Sequence, residues 1–402
     1  MRVVIFSPCT PPLVGGLEAM CLGLARRLRD DGHEVGIAGR FAASRPGFRG
    51  RFLRSEPQRR FECDGIPVTI LPPLPWGGVG GAAIYALMQS PATLPLACGL
   101  QTRGLGAAVA AVCRDADVVH YLGTGLDMLG FAAEPAAREA GASFTVEPAI
   151  HVGRWGDRWI DAVLYRRADA VLAYSECEAA TLRRLGTPSD RVHRIHCGFD
   201  AHDGGDAGAF LARHGIRGPL VLFVGRKTVA KGVARLRDAW PEIRRRVPDA
   251  TVVFMGPAVG KHPLAAGEGI LDIDDASDAE KHDALAACDL LCVPSDGESF
   301  GLVYYEAWVR GKPVVAVDQP ALAETIGAAG GGILVQPRPA DVAAAFVQLL
   351  GDAAAREAMG RRGREFARRH LEHDAHREYL EAFAAARGRA ARREAAPRGA
   401  AS

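Results

Sequence analysis

The chain has 402 residues, 48% hydrophobic and 24% charged, the balance of a globular protein long enough for two domains of ordinary size. A net charge of +2 makes no overall case for nucleic acid, and none is expected as a partner. Nine cysteines are scattered without a Cys-x-x-Cys pair, and Cys9, Cys21, Cys113, Cys288 and Cys292 sit in apolar runs. That usage reads as reduced core thiols in a cytoplasmic protein.

In chain order, Met1-Arg-Val-Val-Ile-Phe6 reads as a strand running into a Pro/Gly loop, not as a signal peptide. A helical pattern follows over residues 17–31, closed by Gly32, then a strand over 34–38. Between residues 41 and 60, six arginines face only Glu56, which reads either as a solvated loop or as an attraction to anionic lipid or an anionic acceptor. The apolar stretch 82–100 is broken by Gln89, Ser90, Pro91 and Pro95 and makes a poor membrane span. Further strands are expected over 66–71, 118–120, 143–146 and 170–174, with helical patterns between several of them. Such alternation predicts an α/β fold with a doubly wound parallel sheet.

Residues 200–208, rich in Gly and Asp, read as a linker. A second Rossmann-like unit starts at Leu220-Val-Leu-Phe-Val-Gly225, with strands over 251–255, 269–273, 290–293 and 314–317. Domains are therefore expected at 1–199 and 200–371. Residues 352–387 read as strongly helical, and the Ala/Arg-rich segment 388–402 as a disordered tail.

Within the second unit, Val224-Gly-Arg226 follows an apolar strand, and Lys231-Gly232 precedes a helical pattern at 233–240. Gly225 permits a close backbone turn, Arg226 offers a planar fork of donors, and Lys231 a mobile point charge. Only five of the 49 basic residues are lysines (Lys227, Lys231, Lys261, Lys281 and Lys312), and two of them fall in this stretch. Downstream, Glu298-Ser-Phe-Gly-Leu-Val-Tyr-Tyr-Glu306 follows a short apolar strand and Ser295-Asp-Gly297 turn chemistry. The amides of Phe300, Gly301, Leu302 and Val303 sit where a helix begins and would offer donors to a phosphate. Glu306, about a turn in, would aim back toward Glu298. Anion donors between two carboxylates suit a ligand carrying phosphates and hydroxyls, such as a nucleotide sugar.

This element, with the Phe-Gly that follows its first Glu, resembles the retaining GT-B glycosyltransferases of family 4, whose hallmark is Glu-x7-Glu. The resemblance implies two Rossmann-like domains facing across a cleft, with the last helix, near 372–387, returning to the first domain. It implies a nucleotide-diphosphate sugar as donor, a glycan, lipid-linked or small-molecule hydroxyl as acceptor, and no metal or other cofactor. Glu298 would contact the transferred sugar, Glu306 the ribose, and Arg226 and Lys231 the diphosphate. The base would lie near Met255-Gly-Pro257 and residues 271–275. Asp272-Ile-Asp274 has the spacing of a metal-binding pair but falls in that base pocket. Gly15 and Gly16 match the family's Gly-Gly loop, and His151, after the strand at 143–146, would stand near the transferred sugar. His120 is a further residue for the acceptor side. Gln319-Pro-Ala-Leu322 replaces the Gly-Gly usual before Glu324, a departure from the family's pattern.

Three rivals stay open: a sugar phosphorylase, a sugar-nucleotide epimerase, and a nucleotide-sugar-binding protein without activity. A dinucleotide dehydrogenase is disfavoured because no Gly-x-Gly-x-x-Gly follows either first strand. The basic stretch 41–60 and the apolar residues near 72–100 make peripheral contact with an anionic membrane at the cytoplasmic face a further expectation.

Overall fold

The computed structural model describes all residues except Val14, Phe48, Pro75 and residues 199–202, 259–266 and 396–402. It divides into two compact units, Met1–Phe199 with Asp374–Ser402, and Asp200–His373.

The first unit is built on eight strands: β1 Arg2–Phe6, β2 Glu34–Gly39, β3 Arg59–Cys63, β4 Ile66–Ile70, β5 Val118–Leu122, β6 Ser143–Glu147, β7 Ala170–Ala173 and β8 Val192–Arg194. They lie in the order β3-β4-β2-β1-β5-β6-β7-β8. All neighbours are parallel except β3 and β4, which pair antiparallel. The central strands are buried because helices cover both faces of a parallel sheet; β5 and β6 are buried at every position, their polar His120, Thr145 and Glu147 included. From β1 the chain moves outward through β2, then returns beside β1 as β5 and moves the other way. Such a reversal opens a crevice at the carboxyl ends of β1 and β5.

The second unit has six parallel strands: β9 Leu220–Val224, β10 Thr251–Met255, β11 Ile270–Ile273, β12 Leu290–Cys292, β13 Val314–Val317 and β14 Gly332–Val335. Their order is β11-β10-β9-β12-β13-β14, so the same reversal falls between β9 and β12.

Residues 352–387 are expected to be helical, with the last helix near 372–387. The structure has two helices, Ala353–Glu372 in the second unit and Ala375–Ala395 in the first. The second extends past residue 387, correcting the reading of a disordered segment from 388. Arg389 and Arg393 hold that last stretch, donating to the Asp169 backbone oxygen at 3.2 Å and to its carboxylate at 2.6 Å. Residues 396–402 of the expected tail, and 200–202 of the expected linker, lie outside the described residues. Tyr379 and Phe383 of this helix are buried against β6 and β7 in the first unit's core.

By length and composition one helix among the described residues, Leu94–Cys113, is apolar enough to cross a membrane. Its Leu105, Val109 and Cys113 are fully buried in the core of the first unit. The expected arginine loop is turned inward only in part: Arg49, Arg54, Arg59 and Arg60 are exposed, and Arg45 and Arg51 are half-buried. Arg45 pairs with buried Glu18 and Arg51 with Asp127, while the Glu56 carboxylate accepts from the amides of Ala42, Ala43 and Ser44. Local carboxylates thus take up much of the charge that the sequence left unbalanced.

Candidate active site

In the second unit the loops after β9 and β12 carry the expected residues to the point where the strand order reverses. Gly225, with φ 142°, ends β9 and leaves Arg226 exposed at its carboxyl end. The chain then makes a short 3-10 turn, Val229–Lys231, whose Lys231 amide donates to the Thr228 hydroxyl at 3.2 Å. Gly232 follows at φ 76°, where a Cβ would strike the Pro294 carbonyl oxygen at 1.9 Å; only glycine lets this loop approach the loop after β12. That approach brings the Lys231 ammonium 2.5 Å from the Glu298 carboxylate.

Glu298 is 7% exposed, and Lys231 stands beside it as a counter-charge. Its backbone amide donates to the Gln319 side chain at 2.8 Å. Gln319 stands where the family's Gly-Gly was expected, just before the helix Pro320–Ala329 that carries Glu324. The departure from the family pattern therefore supplies a brace for the Glu298 loop.

Gly301, at φ 80°, caps the helix Leu302–Val309, and a Cβ there would lie 2.5 Å from the Tyr304 ring. Phe300 stacks on Tyr305 at 4.6 Å with the rings 11° apart, and the Tyr304 hydroxyl donates to the Val293 carbonyl at 2.7 Å. These contacts fix the helix start beside Glu298, with Leu302 and Val303 half-buried. First-turn amides have no acceptor within their own helix, so this end presents donors and the positive pole of the helix. Glu306, one turn on, pairs with Lys281 at 2.9 Å from the helix Asp278–Ala287. Arg310 supports the same turn: it donates to the Glu306 backbone oxygen at 2.8 Å and to His282 Nδ1 at 2.6 Å. Burial pulls the Arg310 pKa down.

The sequence reading did not give Lys281 or Gln319 a role. The rarity of lysine was a usable signal for Lys281, since its pairing with Glu306 makes it a cation beside the expected ribose carboxylate. Lys227, ranked below Lys231, has a different role. It is 3% exposed and pairs with Asp272 and with Asp274, the latter at 2.5 Å. Hydrogen bonding to Lys227 holds the Asp274 carboxyl below its ordinary range. The Asp-x-Asp spacing is thus occupied by an internal ammonium, which ties β11 to the end of β9.

In the first unit, Gly15 and Gly16 begin the helix Gly16–Asp30 at the carboxyl end of β1. A Cβ on Gly15 would meet Glu18 Oε2 at 2.5 Å and Arg45 Nη2 at 2.6 Å, so the residue is small because a charged pair crosses it. His151 follows β6 in a tight turn, its amide donating to the Trp155 carbonyl at 2.9 Å, and remains partly exposed. Buried Glu178 fixes the residues around it by accepting from the amides of Ile150 at 2.6 Å and Tyr174 at 2.7 Å. His120 is fully buried within β5. Its Nδ1 lies 2.8 Å from the Thr145 hydroxyl and its Nε2 3.0 Å from Glu147, beneath the rings of Tyr379 and Phe383. An acceptor could reach it only by displacing the helix Ala375–Ala395. His120 is a core residue, and its assignment to the acceptor side is corrected accordingly.

The comparisons with known proteins agree with this geometry. The family model for glycosyl transferases group 1 matches residues 218–352, and that for the glycosyl transferase 4-like domain matches residues 15–198. Alpha-D-kanosaminyltransferase from Streptomyces kanamyceticus is 30% identical over 217 residues, covering 50% of this chain and 56% of the relative. The chain thus spans about half the length of that relative. Phosphatidyl-myo-inositol mannosyltransferase from Mycolicibacterium smegmatis is 27% identical over 362 residues, 88% of this chain and 85% of the relative. Among solved structures, sucrose-phosphate synthase from Thermosynechococcus elongatus shares the fold with a TM-score of 0.70 at 19% identity, over 98% of both chains. Anabaena HepE in complex with UDP-glucose gives 0.70 at 17% identity, over 98% of this chain and 99% of the other. The fold is GT-B, and the two family matches together span most of the sequence. The chain belongs to the group 1 glycosyl transferases, family 4 of the GT-B enzymes.

Proposed function

We propose that the protein transfers a sugar from a nucleotide-diphosphate sugar to an acceptor hydroxyl, with retention of anomeric configuration and without a metal. The observation that carries this reading is the Lys231–Glu298 pair set at the strand-order reversal beside the start of the helix Leu302–Val309. Anabaena HepE, which shares the fold, was solved with UDP-glucose, in line with a nucleotide sugar as donor. Arg226, Lys231 and the helix amides take the diphosphate, Glu306 the ribose hydroxyls, and Glu298 a hydroxyl of the transferred sugar. In the reaction the bond from the anomeric carbon to the diphosphate oxygen breaks, and the acceptor oxygen bonds to that carbon. Attack on the same face places the acceptor hydroxyl beside the departing oxygen, which takes its proton. The protein's part is then to stabilise the charge that develops on the diphosphate. Asp272 and Asp274 are held by Lys227, so the counter-charge falls to Arg226 and Lys231.

The acceptor side is assigned to the first unit, at the carboxyl ends of its strands, with Gly15, Gly16 and His151. The mannosyltransferase relative acts on a phosphatidyl-myo-inositol by its name, which favours a polyol or lipid-linked acceptor. A cytoplasmic enzyme with peripheral membrane contact is the matching location. Exposed Leu53, Trp76, Val79 and Leu96 support that contact. Gly78 and Gly81 sit against the backbone of residues 52–53, so Leu53 is held beside the helix that carries Val79.

A thermal-shift screen of nucleotide sugars, followed by nucleoside diphosphate release with and without acceptor, tests the reading. Stabilisation by a nucleotide sugar with acceptor-dependent release is the expected result. Phosphate-dependent cleavage of a glycan to a sugar phosphate, with no nucleotide released, would indicate a phosphorylase, and turnover without acceptor an epimerase. Binding without turnover would indicate a binding protein.

A further inference from the structure

The geometry points to a second anion site in the first unit, a cavity that binds a soluble molecule carrying a di- or triphosphate. It lies at the amino ends of β7 and β8, the edge opposite the one used for sugar transfer. The cavity measures about 570 Å³, and every residue lining it is ionisable. Arg138, Arg167, Arg191, Arg389, Arg392 and Arg393 face three carboxylates, a surplus of three positive charges.

The carboxylates are largely committed. Asp169 accepts from Arg138 at 2.7 Å and from Arg393 at 2.6 Å, and burial raises its pKa. Glu134 takes the remaining face of Arg138 at 2.8 Å, and Asp190 lies 3.4 Å from Arg389. Arg167 is left 4.0 Å from Glu134 with its guanidinium over the Phe131 ring, Arg191 donates to the backbone oxygens of Arg166 at 3.3 Å and Ala168 at 3.2 Å, and among the described residues neither Arg191 nor Arg392 lies within ion-pair distance of a carboxylate. Docking of the helix Ala375–Ala395 explains Arg389 and Arg393, whose carboxylates it meets. Neither that docking nor the neutral partners of Arg167 and Arg191 offset the charge of three further guanidinium groups lining the same space, where like charges repel. A ligand with several phosphate oxygens removes that repulsion, and the guanidinium fork matches phosphate in a bidentate way. Among the described residues no apolar side chain lines the cavity, so an acyl chain would find little to bury against; a soluble anion is favoured over a lipid headgroup.

The probe is inorganic pyrophosphate, and the readout is amide hydrogen exchange in the full chain at residues 386–393 and 188–192. Slower exchange at both segments is expected, and it should persist in Lys231→Ala, which keeps this site separate from any pyrophosphate bound in the second unit. Arg392→Glu, an exposed helix position, and the double variant Arg167→Glu/Arg392→Glu should keep the wild-type thermal midpoint. Each arginine removed should weaken pyrophosphate binding about tenfold or more, the value of a hydrogen bond to a charged group. The proposal is overturned by unchanged exchange in the wild-type chain, or by equal protection in the double variant. Binding to phosphatidylglycerol vesicles, lost in the double variant, with no response to pyrophosphate, would overturn the choice of a soluble ligand.

Discussion

Glu298 and Glu306 share a motif, yet each has acquired its own lysine, and the two pairs differ in burial. Glu298 is nearly enclosed, its side chain 8% exposed against 20% for Glu306, while the two lysines are equally exposed at 26%. Lys231→Ala should therefore act on catalysis, lowering kcat on the order of 10²- to 10³-fold while the melting midpoint is kept within a few degrees. Steady-state kinetics with the donor found by screening gives the answer, and near wild-type turnover would sink the assignment. Lys281→Met, by contrast, should raise the donor KM with little change in kcat, because the ribose does not change charge during transfer. Lys227 belongs to a third case. Lys227→Met removes a buried ammonium from two partly exposed carboxylates and should cost about 2 kcal/mol of stability, read as a lower urea midpoint. The two glutamates and Lys231 were legible from the sequence because strand, glycine turn and helix start surround them locally. The pairings of Lys227 with Asp272 and of Glu298 with Gln319 were not. They join residues 45 and 21 positions apart, and only the return of parallel strands brings those positions together.

Among the elements, most internal strands could be read directly because burial on both faces favours apolar runs such as Leu220–Val224 and Val314–Val317. Those missed lie at edges. β3, Arg-Arg-Phe-Glu-Cys, is charged and mostly exposed, as an edge strand with one free side can be. β8 has three residues, and β14 opens on glycine. The helix expected to stop before Pro241 runs on to Arg246, with Trp240 and Ile243 buried on either side of the proline; packing of that face outweighs the lost amide. The short helix Trp159–Tyr165 carries a titratable feature that its sequence did not announce. Asp161, fully buried, accepts from the amides of Arg158 at 3.0 Å and Leu126 at 3.1 Å, and burial raises its pKa to about 6. The unfolded chain releases this proton near pH 3.9, approximately the ordinary aspartate value. Between those pH values the native state binds more protons than the unfolded one. The stabilising contribution is complete below about pH 4 and is lost as the pH rises through 6, by on the order of 3 kcal/mol. Urea unfolding of the wild type and Asp161→Asn should show the wild type losing ground to the variant across that window. A difference that stays level from pH 4 to 7 would refute it.

At the scale of the whole molecule, the first unit is discontinuous: its sheet comes from the first 199 residues, and one covering helix comes from the end of the chain. Alternating strands and helices announced two Rossmann-like units, but no periodicity says which sheet a terminal helix will cover. The determinant is chemical. Tyr379, Ala382, Phe383 and Ala386 form a buried stripe on that helix, against a sheet whose β5 and β6 include His120, Thr145 and Glu147. His120 joins Thr145 to one oxygen of Glu147, the other oxygen of that carboxylate is buried without a hydrogen-bond partner among the described residues, and the rings of Tyr379 and Phe383 pack against His120. Ending the chain at residue 373 would uncover this polar cluster and forfeit about 2 kcal/mol for each large side chain no longer buried. Calorimetry of the truncated chain should show the first unit melting earlier than in the full chain, while the second unit, residues 200–373, keeps its transition. Hydrogen exchange should place the loss in β5 and β6, and leave β9 and β12 unchanged. Adding Tyr379→Ala and Phe383→Ala to the full-length chain should reproduce most of the effect, because the stripe rather than the chain's length holds the helix. If the double variant melted as the wild type does, the arginine contacts to Asp169 and Asp190 would be the principal anchor instead.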